Sequence, residues 1–173
     1  MIKDRLLELG AVKFGDFTLT SGKKSNYYVD MKTPVASSPG LLAELAYAIS
    51  KKVSAKKLAA VELGAVPILV AAAVKLNVPY LIIRKEGREH GITDPILGTL
   101  NSGEEIDIIE DVVTTGGSVL RAATLLRSRG AVVNKVICVV DREEGGFQNL
   151  KDNGIELVPI VKISEIRGQQ SKA

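Results

Sequence analysis

The sequence predicts an α/β domain with a mostly parallel central sheet flanked by helices. Short runs rich in Val and Ile alternate with segments of helical period, the pattern of strand–helix–strand units. The 173 residues suit a single domain that buries roughly 70% of its unfolded surface, and no repeat, low-complexity tract or linker divides them.

In chain order, a short amphipathic helix over 2–9 ends at Gly10. Residues 14–31 read as two short antiparallel strands around Ser21-Gly22-Lys23-Lys24. Helices follow over 39–53, 67–76 and 117–129, the last with Gly130 where a helix C-terminal glycine belongs. Within them, residues 71–74 and 119–126 carry apolar residues at helical spacing and read as core. Strands are expected over 58–62, 80–83, 106–110, 135–140 and 156–159. Three segments interrupt the rhythm: 14–31, the polar stretch 84–94 with its two glycines, expected to be mobile, and 141–146. In open α/β sheets, loops at the carboxyl ends of parallel strands are where ligands bind.

Composition narrows the function. Lys and Arg number 23 against 20 Asp and Glu, a net charge of +3, so no bulk electrostatic case for nucleic acid arises. Aromatic residues make up 4% and tryptophan is absent, which leaves no stacking platform for single strands. The single cysteine, Cys138, lies in an apolar run and reads as a small core residue; an intrachain disulfide is excluded. No stretch approaches the ~20 apolar residues of a membrane span. The N-terminus lacks a long apolar signal region, so the expected location is the cytoplasm.

The densest chemistry is Ile106-Asp107-Ile108-Ile109-Glu110-Asp111-Val112-Val113-Thr114-Thr115-Gly116-Gly117-Ser118. An apolar strand ends on two adjacent carboxylates, and a loop of hydroxyls and glycines opens into a helix. Such a loop offers backbone N–H groups and a helix N-terminus to a phosphate. Glu110 and Asp111 can accept hydrogen bonds from ribose hydroxyls or orient water on a divalent cation. A glycine pair before a helix, taken alone, is equally a helix cap beside a solvated acidic strand end. The string lacks the Gly-Lys-Ser/Thr of a P-loop and the Gly-x-Gly-x-x-Gly of a dinucleotide fingerprint.

As a whole, this string resembles the phosphoribosyl diphosphate (PRPP) signature of type I phosphoribosyltransferases. The chain is similar to their orotate branch, in its compact microbial form, over nearly its whole length. Phe14-Gly15-Asp16-Phe17-Thr18-Leu19-Thr20-Ser21-Gly22-Lys23-Lys24-Ser25-Asn26-Tyr27-Tyr28 resembles the N-terminal segment of the orotate enzymes. Arg84-Lys85-Glu86-Gly87-Arg88-Glu89-His90-Gly91 resembles their flexible catalytic loop, and Asp141-Arg142 stands where they place the arginine that holds the base.

The resemblance implies the type I phosphoribosyltransferase fold as one domain over 1–173, with a small N-terminal hood over about 1–35. It implies that orotate and PRPP give orotidine 5'-monophosphate and pyrophosphate, with Mg²⁺ as cofactor, in pyrimidine (UMP) biosynthesis. The 5-phosphate is assigned to the loop Val113, Thr114, Thr115, Gly116, Gly117 and Ser118, the ribose hydroxyls to Glu110 and Asp111, and Val112 is placed against PRPP as well. Gly64-Ala65-Val66-Pro67 corresponds to the pyrophosphate turn, with Ala65 and Val66 against PRPP. Arg84, Lys85, Arg88 and His90 close over the pyrophosphate; Lys85, Arg88, His90 and Asp111 are the catalytic set. Orotate is assigned to Tyr28, Val29, Thr114 and Arg142. No protein residue ligates the metal directly, since the diphosphate and water carry magnesium. The loop that begins at Arg84 serves a neighbouring subunit's site in the family, which implies a homodimer; the charge balance, few aromatics and lack of a long apolar stretch point to no nucleic-acid or membrane partner.

Some choices stay open at this level. Thr20 stands where some bacterial relatives carry a substrate-contacting lysine, and Lys23 or Lys24 either replaces that charge or forms a plain hairpin tip. Arg88 stands where many relatives have lysine, keeping the charge but as a planar fork. One of Tyr27 and Tyr28 faces the interior if the segment is a strand, and Asp141 either serves the site or caps the next turn. Alternatives are a PRPP-dependent transferase for another base, which the 14–28 segment disfavours, and a non-catalytic PRPP-sensing regulator. Such a regulator would carry a DNA-binding extension or a defective loop, and neither is evident.

Overall fold

The computed structural model describes residues 1–18, 22, 24–84 and 94–170. Helix α1 (Ile2–Glu8) leads into a hairpin of β1 (Val12–Thr18) and β2 (Lys24–Val29), which forms its own two-stranded antiparallel sheet. Helices α2 (Lys32–Ser37) and α3 (Pro39–Ser50) connect this hood to the body. Ser38 starts α3 by accepting a hydrogen bond from the Leu41 N–H at 3.2 Å, with Pro39 in the first turn. The body then alternates: β3 (Lys57–Val61), α4 (Val66–Leu76), β4 (Tyr80–Ile83), β5 (Ile96–Leu97), β6 (Glu105–Val113), α5 (Gly117–Ser128), β7 (Val132–Asp141), α6 (Gly146–Asp152), β8 (Glu156–Lys162) and α7 (Ile163–Gln170).

The six strands of the main sheet lie in the order β5-β4-β3-β6-β7-β8, and every neighbouring pair is parallel except β4 with β5. Helices cover both faces, so the central strands are buried on both sides and read as continuous apolar runs. All of β3 is buried. Alternate residues divide between two cores: Ile109 and Ile137 pack with Leu41, Leu45 and Ile68 on one face, while Ile108 and Val136 pack with Val119 and Leu126 on the other.

Buried polar groups in the sheet are satisfied. Asp107 accepts from the Ser54 and Ala55 N–H groups at 2.7 and 3.1 Å, fastening the loop before β3 to β6. The Lys57 ammonium donates to the Thr99 carbonyl at 2.8 Å and to Glu104 at 2.5 Å. Hydrogen bonds from the Asn101 N–H and from Lys57 push the Glu104 carboxyl down to about 2 from an ordinary 4.5. Because folding lowers this pKa, the stabilisation is complete above 4.5 and disappears as pH falls through the folded value. Glu104→Gln is therefore expected to cost about 1–2 kcal/mol at neutral pH and progressively less toward pH 2. Urea titrations across that range would show a pH-independent difference if the ion pair were inert.

Most of the expected elements are present, with shifted ends. Strands β6 and β7 are longer than expected, because parallel pairing continues to Val113↔Asp141. Glu110 and Asp111 therefore lie inside β6, not at its tip. Four elements were not anticipated: α2, β5, α6 and α7. Val74 was assigned to the core with its neighbours, yet it is 75% exposed. The buried face of α4 is Ile68, Leu69, Ala72 and Ala73, and position 74 turns off it. Cys138 is fully buried as expected, and burial pushes its thiol pKa up, which disfavours the reactive thiolate.

Candidate active site

The order of strands changes direction between β3 and β6, since β4 lies on one side of β3 while β6, β7 and β8 follow on the other. The carboxyl ends of strands at such a switch point form the ligand crevice of open α/β sheets. A cleft of about 500 Å³ opens there. Glu110, Asp111 and Val112 come to it from β6, Ser118 from the start of α5, and Tyr28 and Val29 from the hood.

The carboxylates differ in setting. Glu110 is buried at 7% exposure and accepts from the Asp111 N–H at 3.2 Å, whereas Asp111 is half-buried and accepts from the Val112 N–H at 2.9 Å. Across the crevice, the turn after β3 carries Glu62, Leu63 and Gly64, and the Glu62–Leu63 peptide is cis. A Cβ on Gly64 would overlap the Asp111 carboxylate, so only glycine allows this turn to lie against the acid. Ala65 is fully buried behind the turn and Val66 opens α4.

Thr114, Thr115 and Gly116 connect β6 to α5. Gly116 stands at φ +77°, a left-handed conformation that L side chains rarely adopt, and forms the N-cap of α5. Thr115 and Ser118 are exposed and Thr114 half-buried, so the loop offers hydroxyls to solvent at the N-terminus of α5. A compact, strongly anionic group is the ligand such a loop suits.

Of the base-binding candidates, Tyr28 is 44% exposed and its ring lies 5.7 Å from that of Phe17, while Tyr27 is the interior member of the pair at 6%. Arg142 does not line the cleft. Its guanidinium pairs with Glu144 at 2.7 Å, donates to the Tyr27 hydroxyl at 3.3 Å and lies 4.8 Å from the centre of the Tyr27 ring. Asp141 caps its turn by accepting from the Glu143 N–H at 2.8 Å. Arg84 closes β4, its N–H donating to the Pro95 carbonyl at 2.8 Å. Thr20, Lys23, Lys85, Arg88 and His90 lie outside the described residues.

The cleft also has a wall that sequence reasoning missed. Asp30, Lys32 and Thr33 line it at the start of α2. Asp30 accepts from the Lys32 and Thr33 N–H groups at 3.0 and 3.3 Å. Burial works against the Asp30 carboxylate, but these bonds and the charge of Lys13 hold its pKa below the usual value. An aspartate shortly before Pro34 was the available sign of a helix start.

The fold, with a hydroxyl-and-glycine loop feeding a helix beside paired carboxylates at the switch point of a parallel sheet, is of the phosphoribosyl transferase class, and the family model of the phosphoribosyl transferase domain matches residues 36–156. The orotate phosphoribosyltransferase of Thermoplasma volcanium is 56% identical over 167 residues, covering 96% of this chain and 99% of its own. Among solved structures, orotate phosphoribosyltransferase from Aeropyrum pernix superposes with a TM-score of 0.85 at 27% identity, covering 100% of this chain and 99% of that one. UMP synthase of Leishmania donovani gives a TM-score of 0.87 at 28% identity, covering 99% of this chain, which spans 38% of that protein's length. The chain belongs to the orotate phosphoribosyltransferase family.

Proposed function

We propose that this protein transfers the phosphoribosyl group of PRPP to orotate, giving orotidine 5'-monophosphate and pyrophosphate, a step of pyrimidine biosynthesis. The observation that carries the reading is the cleft at the β3–β6 switch, which Glu110 and Asp111 line together with Ser118 from the start of α5 and residues 28–33 of the hood. The reaction is substitution at an anomeric carbon with a highly charged leaving group. Departure of that group runs ahead of attack, so catalysis rests on positioning and electrostatics, not on a protein nucleophile.

In this reading the 113–118 loop holds the 5-phosphate, and Glu110 and Asp111 accept hydrogen bonds from the ribose hydroxyls. Their negative charge also favours the oxocarbenium character of the transition state. Tyr28 and Val29 line the base. Thr114 and Arg142 complete the base site, Arg142 exchanging the Glu144 carboxylate for an acidic or carbonyl edge of orotate. The turn at 64–66 and Arg84, Lys85, Arg88 and His90 neutralise the departing pyrophosphate and exclude water that would hydrolyse PRPP.

Magnesium is a hard cation served by oxygen. Among the described residues no three acidic, histidine or cysteine side chains are grouped to hold a metal ion; when bound with the substrate, magnesium would be carried by the diphosphate and water and would offset the diphosphate charge. The protein is read as a cytoplasmic homodimer in which residues 84–94 serve the neighbouring subunit's site; analytical ultracentrifugation would detect the dimer. Among the described residues, no helix is long and apolar enough to cross a membrane.

Incubating protein, magnesium and PRPP with orotate, uracil or xanthine in turn, and following base consumption, tests the assignment. Orotate is expected to be consumed, and turnover with the purine alone would reject the reading. Lys85→Ala is expected to lower kcat by about 100-fold or more, with PRPP affinity changed less than about fivefold, because its charge acts on the leaving group. An unchanged kcat would remove Lys85 from the mechanism.

A further inference from the structure

The segment after β7 grips the phosphate loop at three consecutive carbonyls. The Arg142 N–H donates to the Val113 carbonyl at 2.9 Å, the Gly146 N–H to that of Thr114 at 2.9 Å, and the Asn149 side-chain amide to that of Thr115 at 2.8 Å. In a trans peptide the carbonyl and the following N–H point in opposite directions. Fixing these carbonyls toward residues 142–149 therefore turns the N–H groups of Thr114, Thr115 and Gly116 to the other side. None of the three donates to a backbone carbonyl in the turn and loop hydrogen bonds of the described residues.

The contact leaves little slack. A Cβ on Gly146 would stand 2.6 Å from both the Thr114 carbonyl oxygen and a Val113 methyl, and one on Gly116 would stand 3.2 Å from Leu150. Two of the three anchors are backbone groups, present whatever the side chain. The third depends on one residue, half-buried on the face of α6 that meets the loop.

We infer that Asn149 is a positioning residue for the 5-phosphate: by holding the Thr115 carbonyl on α6, it aims the loop N–H groups into the anion site without touching the ligand. This rests on the assignment of that loop to the 5-phosphate. Aim, not loop stability, is its contribution, because the two backbone anchors keep the loop in place when the amide is lost.

Asn149→Ala and Asn149→Asp separate the possibilities, with ribose 5-phosphate and inorganic pyrophosphate as calorimetric probes of the two ends of the donor site. Asn149→Ala is expected to weaken ribose 5-phosphate binding about 3- to 10-fold, the loss of one ordinary hydrogen bond. Pyrophosphate affinity should stay within about twofold, and KM for PRPP should rise while kcat stays within about threefold. Asn149→Asp, which keeps the shape but replaces the donor with a negative charge, should weaken the sugar phosphate by about 30-fold or more. The Gly116 amide chemical shift in the free protein should move in both variants, because the carbonyl of its peptide loses the Asn149 hydrogen bond. Unchanged ribose 5-phosphate affinity in both variants, or an equal loss for pyrophosphate, would overturn the inference. Wild-type protein that bound neither probe would refute the proposed reaction instead, and an unmoved Gly116 amide shift would then still reject the anchor.

Discussion

Gly64→Ala is expected to lower kcat/KM for PRPP by about 100-fold or more while leaving the fold intact. The new methyl would occupy the space of the Asp111 carboxylate. The obstructing atoms are the end of a side chain, so relief comes by rotating Asp111 away, not by opening the backbone. Gly64 lies outside the regular elements, between β3 and α4, and Asp111 lies on the floor of the cleft. The damage is thus confined to the carboxylate and the turn after β3. Steady-state kinetics with PRPP varied, beside a thermal melt, gives the answer. Wild-type kcat/KM would show that the turn and the acid do not depend on each other, and a large loss of Tm with the activity would move the effect from the site to the fold.

Asp111→Asn should produce a loss of similar size by a different route. The substitution keeps shape and volume, so the turn at Gly64 still fits, but it removes the charge and one acceptor. Hydrogen bonds to a charged group are worth about 1.5–3 kcal/mol each, so PRPP binding should weaken about 10- to 100-fold. In the proposed reaction the charge also faces a transition state with positive character, so kcat should fall by a further factor of about 10 or more. Calorimetry with PRPP and turnover at saturating PRPP separate the two contributions. Unaltered affinity would argue against the ribose contact, and unaltered kcat against the electrostatic part. The contrast with Gly64→Ala is informative, because one variant displaces the carboxylate and the other neutralises it in place.

How much of this was legible in the sequence varies with the length of each element. The helices α3, α4 and α5 stood out by repeating their apolar period over about three turns, and the strands β3, β4, β6, β7 and β8 by Val- and Ile-rich apolar runs between them. The elements missed are short or end in polar residues. An isolated helix of six or seven residues, such as α2 or α6, is marginal in water and exists because the body provides a surface for it. Strand β5 has two residues and is defined by its pairing with β4.

The site divides in the same way. The loop from Thr114 to Ser118 was readable because the whole string from Ile106 to Ser118 resembles the PRPP signature, whereas its glycine pair alone would also fit a plain helix cap. The hood wall of Asp30, Lys32 and Thr33 was not, since nothing local says that α2 folds back over the ends of β3 and β6. Arg142 was placed by its position after a strand, but its partners Tyr27 and Glu144 set where the guanidinium lies. Asn149 carried no sign at all: its role depends on a carbonyl 34 residues away in sequence.

The sequence by itself determined the alternating α/β pattern, the buried inertness of Cys138, and the acidic strand with its phosphate-type loop, because periodicity, polarity and backbone chemistry are local properties. Only the tertiary structure decided that Gly64 lies against Asp111, that the hood closes one wall of the cleft, and that α6 turns the loop carbonyls outward. Those are contacts between segments far apart in the chain, fixed by how the sheet orders its strands and what must pack over their ends.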